Sequence, residues 1–304
     1  MTADRGLSRV APLGVRFVDD RTGAAVAEGL VVTCWPAGEP SRRRLARANG
    51  SSVFSLHDVP GLGDVERGTG DDAYFRAAPR RPFVLDVEDR DGRFLPFRVM
   101  AELPARGLLP FTCGPAASPP GPDLPGGIPL FTAPTRPAAP GSAVLRADLW
   151  DPIADAPAAW AVVQARVASA AGRAATPRWA LADDLGRLAL HVPCPDDDDL
   201  DGGSFASPSG PAPVPLAART WTVELTAAYR PPPSDPRRAR HPRGAPVPDL
   251  CAALMQPPAT LWTDRARTTP VQRASLTYGR DTVLRSIGGA RPPSVLFVTP
   301  GSPP

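Results

Sequence analysis

The sequence predicts an all-β chain: two tandem antiparallel sandwiches, joined and followed by proline-rich segments, with a further β segment at the C-terminal end. Three observations carry this expectation. Apolar side chains alternate with period two in many short runs, the pattern of half-buried strands. The 42 prolines and 27 glycines among 304 residues leave few windows in which a three-turn helix could persist. One order of strands and turns also occurs twice, as in a divergent internal repeat.

The second copy is the clearer one. Val144, Arg146 and Asp148 alternate with Leu145, Ala147 and Leu149, and Asp151-Pro152 ends the run. Proline removes a ladder donor and fixes its own φ. An apolar run follows at Trp160, Val162, Val163 and Val167, then a turn at Leu181–Arg187, then Leu188, Leu190 and Val192 on one face. The first copy has the strand Val15–Asp20, the turn Arg21–Ala24, the strand Leu30–Trp35, Asn49-Gly50, the strand Val53–Leu56 and the exit Val59-Pro60-Gly61. Each copy adds a later strand, Phe83–Glu88 in the first and Trp221–Leu225 in the second.

These elements place a first sandwich at 13–104 and a second at 142–230. Within the first, Gly61–Gly70 reads as a polar loop, and Asp89–Gly92 as a hairpin turn whose Asp-Gly suits a positive φ. Residues 105–141 form a Pro/Gly-rich linker, stiff and extended, yet Phe111, Ile128, Leu130 and Phe131 suit it to lying against protein. Residues 231–258 form a Pro-rich arm in which Asp249–Met255 is the best short helix, with Leu250, Leu254 and Met255 as its apolar residues. Residues 259–304 return to strand character: Ala274–Tyr278 and Thr282–Ser286 flank the hairpin loop Gly279-Arg280-Asp281, and Ser294–Thr299 is a final strand. That strand either extends the second sandwich or supplies an edge that pairs with a neighbouring subunit, and the two arms are expected to become ordered against a partner subunit or the adjacent sandwich.

Composition excludes several classes. All 34 basic residues are Arg, and the net charge is +3. The densest basic runs, Arg42–Arg44 and Arg237–Arg240, fall in loops without interleaved aromatics, which argues against nucleic-acid binding. No apolar run reaches membrane-spanning length, so membrane insertion is not expected. The first residues lack an apolar signal core, and the expectation is a cytoplasmic protein, or one released as part of a particle by a route such as lysis. Cys34, Cys113, Cys194 and Cys251 show no metal spacing; their even number permits disulfides, which two adequate cores do not require.

Catalytic groupings are not apparent. His57 ends a strand, His191 faces away from the apolar set of its strand, and His241 lies in an Arg/Pro loop; all three read as surface or loop residues. The Asp196–Asp201 run is rich in oxygen ligands but lacks the spacing of a calcium loop, and adjacent aspartates repel and stay hydrated. No glycine-rich phosphate loop opens a helix. The six tryptophans lie in strand-like runs and read as core or rim packing. No catalytic, cofactor-binding or metal residue is therefore assigned, and no cofactor is expected.

Both copies resemble the carboxypeptidase regulatory-like domain, an Ig-like or transthyretin-like sandwich. The residues that carry the likeness are Val15–Asp20, Thr22-Gly23-Ala24, Asn49-Gly50 and Phe54–Pro60, and then Leu149–Ala161, Asp183–Gly186 and Leu188–Pro195. Intradiol dioxygenases share the architecture, but they hold iron with two Tyr and two His. Here Tyr74, Tyr229 and Tyr278 are scattered, and no paired histidines follow. Hydroxyisourate hydrolases end in Tyr-Arg-Gly-Ser, which this chain lacks. The whole chain, from the two sandwiches to the tail Leu261–Val298, also resembles proteins encoded with actinobacterial phage-tail-like contractile injection systems. That resemblance implies a baseplate-associated structural role with homo- or hetero-oligomeric protein partners and no chemistry. The alternatives are a module binding a carbohydrate or surface ligand and, less favoured, a diverged intradiol-type dioxygenase.

Overall fold

The computed structural model describes residues 10–67, 72–113, 127–167, 177–195, 215–231, 246–287 and 294–302, the side chains of Asp72 and Tyr74 excepted. Strands dominate it, as the alternation predicts, and its helices are short. Two compact units result: unit 1 comprises residues 1–130 and 247–251, and unit 2 comprises 131–246 and 252–304.

Unit 1 is a sandwich of two sheets. One contains β1 (Gly14–Asp19), β2 (Ala25–Val26), β5 (Arg47–Ala48) and β6 (Val53–Ser55), in the order β2-β1-β6-β5, and β9 (Ile128–Leu130) adds parallel to β1. The other runs β4-β3-β7-β8, from β3 (Leu30–Pro36), β4 (Arg44–Leu45), β7 (Arg81–Asp89) and β8 (Phe97–Leu103). Period two is explicit in β8, where Phe97, Val99, Ala101 and Leu103 are buried while Met100 is exposed. Phe17 of β1 lies edge-on to Phe54 of its own sheet at 5.5 Å and, across the sandwich, tilted against Phe97 of β8 at 6.3 Å.

Unit 2 repeats this pairing scheme. The strands that carry it are β10 (Ser142–Asp151), β11 (Ala156–Pro157), β12 (Val162–Val167), β13 (Arg178–Leu181), β14 (Arg187–Pro193), β15 (Thr220–Ala228) and, after β16 (Pro258–Trp262), β17 (Arg273–Thr277). β10 takes β11 and β14 as β1 takes β2 and β6. β12 pairs with β13 and β15 as β3 pairs with β4 and β7, and β15 takes β17 as β7 takes β8. The repeat read from sequence is thus present in the ladders.

The repeat extends to hydrogen bonds within the turns. Asn49 Oδ1 accepts from the N–H of Ser51 and Val53, and Asp183 Oδ1 accepts from Leu185 and Arg187, the same two offsets. In both turns the backbone N–H of the fourth residue donates to the carbonyl of the first, and that fourth residue has positive φ: Ser52 at 56° and Gly186 at 76°. Asp89 and Asp264 build the same corner, with Gly92 and Arg267 at φ 64° and 63°. Asx side chains favour such turns because their oxygen supplies the acceptor that the reversed backbone lacks.

Unit 2 differs from unit 1 in how it closes. β18 (Asp281–Val283) and β19 (Val295–Pro300) both run parallel to β10, and β19 also pairs antiparallel with β16, which pairs with β15. The chain β10-β19-β16-β15 therefore joins what are separate sheets in unit 1 into one ten-stranded sheet. It wraps a core that includes Leu145, Leu149, Val163, Leu190, Trp221, Val223, Leu276 and Val298.

Of the two readings of the final strand, extension of the second sandwich fits: it is internal, paired on both sides, and offers no edge to a neighbour. Several other expectations are corrected here. β17 and β18 pair with different strands and form no hairpin, although Gly279 does take φ 65°. The described parts of 105–141 lie against protein, as their apolar residues suggest: Leu109 N–H donates to Gly14 O, β9 pairs with β1, and Ile128 and Leu130 are fully buried. Residues 259–304 belong to unit 2. Gly61–Gly70 is not only loop, since α1 (Gly63–Glu66) lies within it and α2 (Asp72–Ala77) follows. The helix read in the arm is α3 (Leu250–Leu254). β16 escapes the alternation because Pro257-Pro258 opens a run of only five residues.

Two outcomes follow for stability. A Cβ on Gly186 would clash with Leu149 O, whereas one on Gly92 meets nothing within 4 Å. Gly92→Ala should cost about 1–2 kcal/mol, the left-handed penalty alone, and Gly186→Ala distinctly more by thermal or urea melting. Ile128→Ser should destabilise unit 1 by about 2–4 kcal/mol, as a buried apolar residue does when made small and polar; an unchanged melt would return residue 128 to a free linker.

Candidate functional site

One end of unit 2 gathers the turns that the sequence singles out. β10 runs out at Asp151, and the turns Asp151–Asp155 and Asp183–Arg187 leave from the same end: Leu149 N–H donates to Gly186 O at 2.7 Å, and Trp160 N–H to Asp183 O at 3.4 Å. The β16–β17 connection joins them, with Arg265 paired to Asp155 at 2.9 Å and Ile287 N–H donating to Thr263 O.

The polar side chains here hold backbone. Asp151 is fully buried; its Oδ1 accepts from Ile153 and Ala154 N–H, and its Oδ2 accepts from the Tyr229 hydroxyl at 3.1 Å. Burial first, then the Asp151 charge and hydrogen bond, push the Tyr229 phenol well above its ordinary pKa of 10.0. Asp183 is 4% exposed and pairs with Arg187 at 2.7 Å besides closing its turn. Gln256 donates to Trp160 O at 2.7 Å and accepts from Arg230 N–H at 2.6 Å. That anchor holds Trp160 at φ 62°, a left-handed conformation uncommon for a bulky residue. At Asp264, desolvation acts upward, but N–H donors from Thr268, Thr269 and Arg267 and the Thr268 hydroxyl outweigh it and hold the carboxyl below its ordinary range. The tips between these anchors are apolar: Ile153 is 70% exposed, Ile287 65% and Leu185 51%.

Elsewhere the acidic groups are engaged in the same way. In unit 1, burial raises the Asp89 carboxyl, yet side-chain and backbone hydrogen bonds from Arg93 and its charge override this and lower the pKa. Glu66 accepts from Asp58 and Val59 N–H, and Asp86 pairs with Arg98 at 2.7 Å. In unit 2 a cleft of about 360 Å³ opens where β16 and β17 part from β15. It is lined by Leu225, Thr226, Leu261 and Val271, with the Glu224–Arg273 ion pair also at its wall. Among the described residues no three His, Cys, Asp or Glu side chains gather as a metal site.

The sequence candidates are dispersed. His57 is exposed, as expected. His191 is not at the surface: it is 7% exposed, because both faces of β14 are covered from Leu188 to Val192. His241, Arg237–Arg240 and Asp196–Asp201 lie outside the described residues, as does the Tyr74 side chain. Tyr229 is tied to Asp151 rather than facing a cavity. Trp35, Trp221 and Trp262 are buried, in keeping with core packing. Two features escape the sequence reading: the Asp151–Tyr229 pair, 78 residues apart, and a Cys113–Cys251 disulfide, for which the even cysteine count was the available signal.

No protein-family model and no curated protein matches the chain. Among solved structures it is similar to the shaft pilin spaA from Lactobacillus rhamnosus GG, at 8% identity over 95% of this chain and 97% of that one, with a TM-score of 0.20. It is also similar to a tetra-tandem repeat in the extending region of a large adhesion protein, at 13% identity over 71% of this chain and 46% of that one, with a TM-score of 0.15. At these scores neither neighbour bears on function.

Tyr229 supplies the test of this arrangement. Tyr229→Phe leaves a buried carboxylate oxygen without its donor and should cost about 1–3 kcal/mol at neutral pH. The folded-state phenol pKa lies above the unfolded value, so its contribution is complete below about pH 10 and is lost as pH rises further. The alkaline limb of the wild-type stability profile should therefore flatten in the variant; parallel limbs would contradict the pairing.

Proposed function

We propose that the chain is a non-enzymatic structural protein that works through protein–protein contacts made by the turn-bearing end of unit 2. The observation that carries this reading is the division of labour at that end. Asp151, Asp183 and Gln256 hold backbone, Tyr229 holds Asp151, and Ile153 and Leu185 are exposed on the corners these bonds fix, with Ile287 exposed beside them. Rigid apolar tips lose little conformational freedom on contact and favour a protein partner over a hydrated sugar. The finer placement, as a baseplate-associated component of a phage-tail-like contractile injection particle, rests on the sequence resemblance alone.

Replacing Ile153 and Leu185 together by Asp adds charge at exposed sites and should leave the melting temperature within the small range of surface substitutions. Sedimentation of the chain in extracts of its native cells tests the reading. The wild type is expected in a fast-sedimenting complex and the double variant as free protein; wild type and variant both sedimenting as free monomer would overturn the proposal.

A further inference from the structure

The four cysteines occupy different environments. Cys34 lies in β3 at 1% exposure, and burial pushes its thiol up to about 12, so it stays protonated and enclosed. Cys194 is half-buried and outside any disulfide. Cys113 and Cys251 are bonded across a sequence separation of 138, with Cα atoms 5.0 Å apart.

Cys251 ends the five-residue segment Val247–Cys251, which belongs to unit 1 although the strands before and after it, β15 and β16, belong to unit 2. The segment lies along the outer edge of β8: Arg98 N–H donates to Pro248 O at 2.8 Å, and Arg98 and Asp249 form a parallel bridge. Leu250 is fully buried. Ordering the segment costs conformational entropy, which these contacts oppose. The covalent link lowers that cost, because it confines the segment near β8 before any of those contacts form.

We infer that Cys113–Cys251 is a redox-controlled clasp. Oxidised, it seals the β8 edge with Val247–Cys251; reduced, it releases the segment, uncovers Leu250 and leaves Arg98 N–H on an open strand edge. Closing the clasp converts two thiols and one small-molecule disulfide, such as oxidised glutathione, into the protein disulfide and two small-molecule thiols. Each sulfur exchange moves one proton to the departing thiol, so atoms and electrons balance. The clasp closes in an oxidising compartment and opens in a reducing one, which replaces the cytoplasmic expectation with maturation outside the reducing cytosol. Burial of Cys34 keeps that thiol from competing for the exchange once β3 has paired.

Amide hydrogen exchange on the full chain, after oxidation with oxidised glutathione and again after reduction, tests the clasp. Oxidation is expected to give the 113–251 cross-linked peptide, with Cys34 alkylated only after denaturation. Reduction is expected to speed exchange at residues 247–251 and at Arg98 by about 100-fold or more, the scale of a cross-link that closes a long loop, while the β3–β7 ladder keeps its protection. Cys251→Ala should reproduce the reduced pattern, and the wild-type reduction gives the same reading if that variant does not fold. Equal protection of 247–251 in both states, a disulfide through Cys34 or Cys194, or thiols that resist oxidation would each overturn the inference.

Discussion

A side-chain oxygen folded back onto its own backbone sets the corners on which both units depend. At Asn49, Asp89, Asp183 and Asp264 the oxygen takes the N–H four residues on, and the residue before that N–H has positive φ. A strand entering such a corner leaves it reversed, with its N–H groups satisfied before any partner strand arrives. Register follows, because a one-residue slip would turn every apolar side chain to the wrong face. At Asp183 the constraint is tightest: the carboxylate is nearly enclosed, Arg187 neutralises it, and the adjacent Gly186 leaves no room for a side chain beside Leu149 O.

The same corners in both units give one pairing scheme twice, but the two copies stabilise their edges differently. Unit 1 remains two sheets, with β9 added beside β1 and Val247–Cys251 laid along β8. Unit 2 draws its last strands inward, and β16 and β19 join its sheets into one. Both solutions cover strand edges that would otherwise present unpaired donors and acceptors. Each uses chain from far along the sequence, so composition changes along the chain do not mark the limits of each core.

Legibility followed locality. β1, β3, β7, β10, β14 and β15 were readable because alternation and flanking turns lie within ten residues of each other. The Asn49 and Asp183 turns were also readable as equivalents, since their offsets are local. What depends on distant chain was not: β9 looked like linker because three residues between prolines and glycines carry no period, yet β1 supplies the missing ladder. His191 looked exposed because alternation assumes one wet face, and β14 has none along its central residues. The Asp151–Tyr229 pair and the Cys113–Cys251 bridge join residues 78 and 138 apart, beyond any spacing rule.

The carboxylates at Asp89, Asp151, Asp183 and Asp264 are engaged with backbone N–H groups. Carboxyl ¹³C NMR, followed through an acid titration and on addition of Ca²⁺ or Fe²⁺, measures this directly. The account predicts that Asp89 and Asp264 titrate below the ordinary carboxylate range, and that the resonances of Asp89, Asp151, Asp183 and Asp264 do not respond to either metal. Stoichiometric, saturable metal shifts at any of these four carboxyls would contradict it.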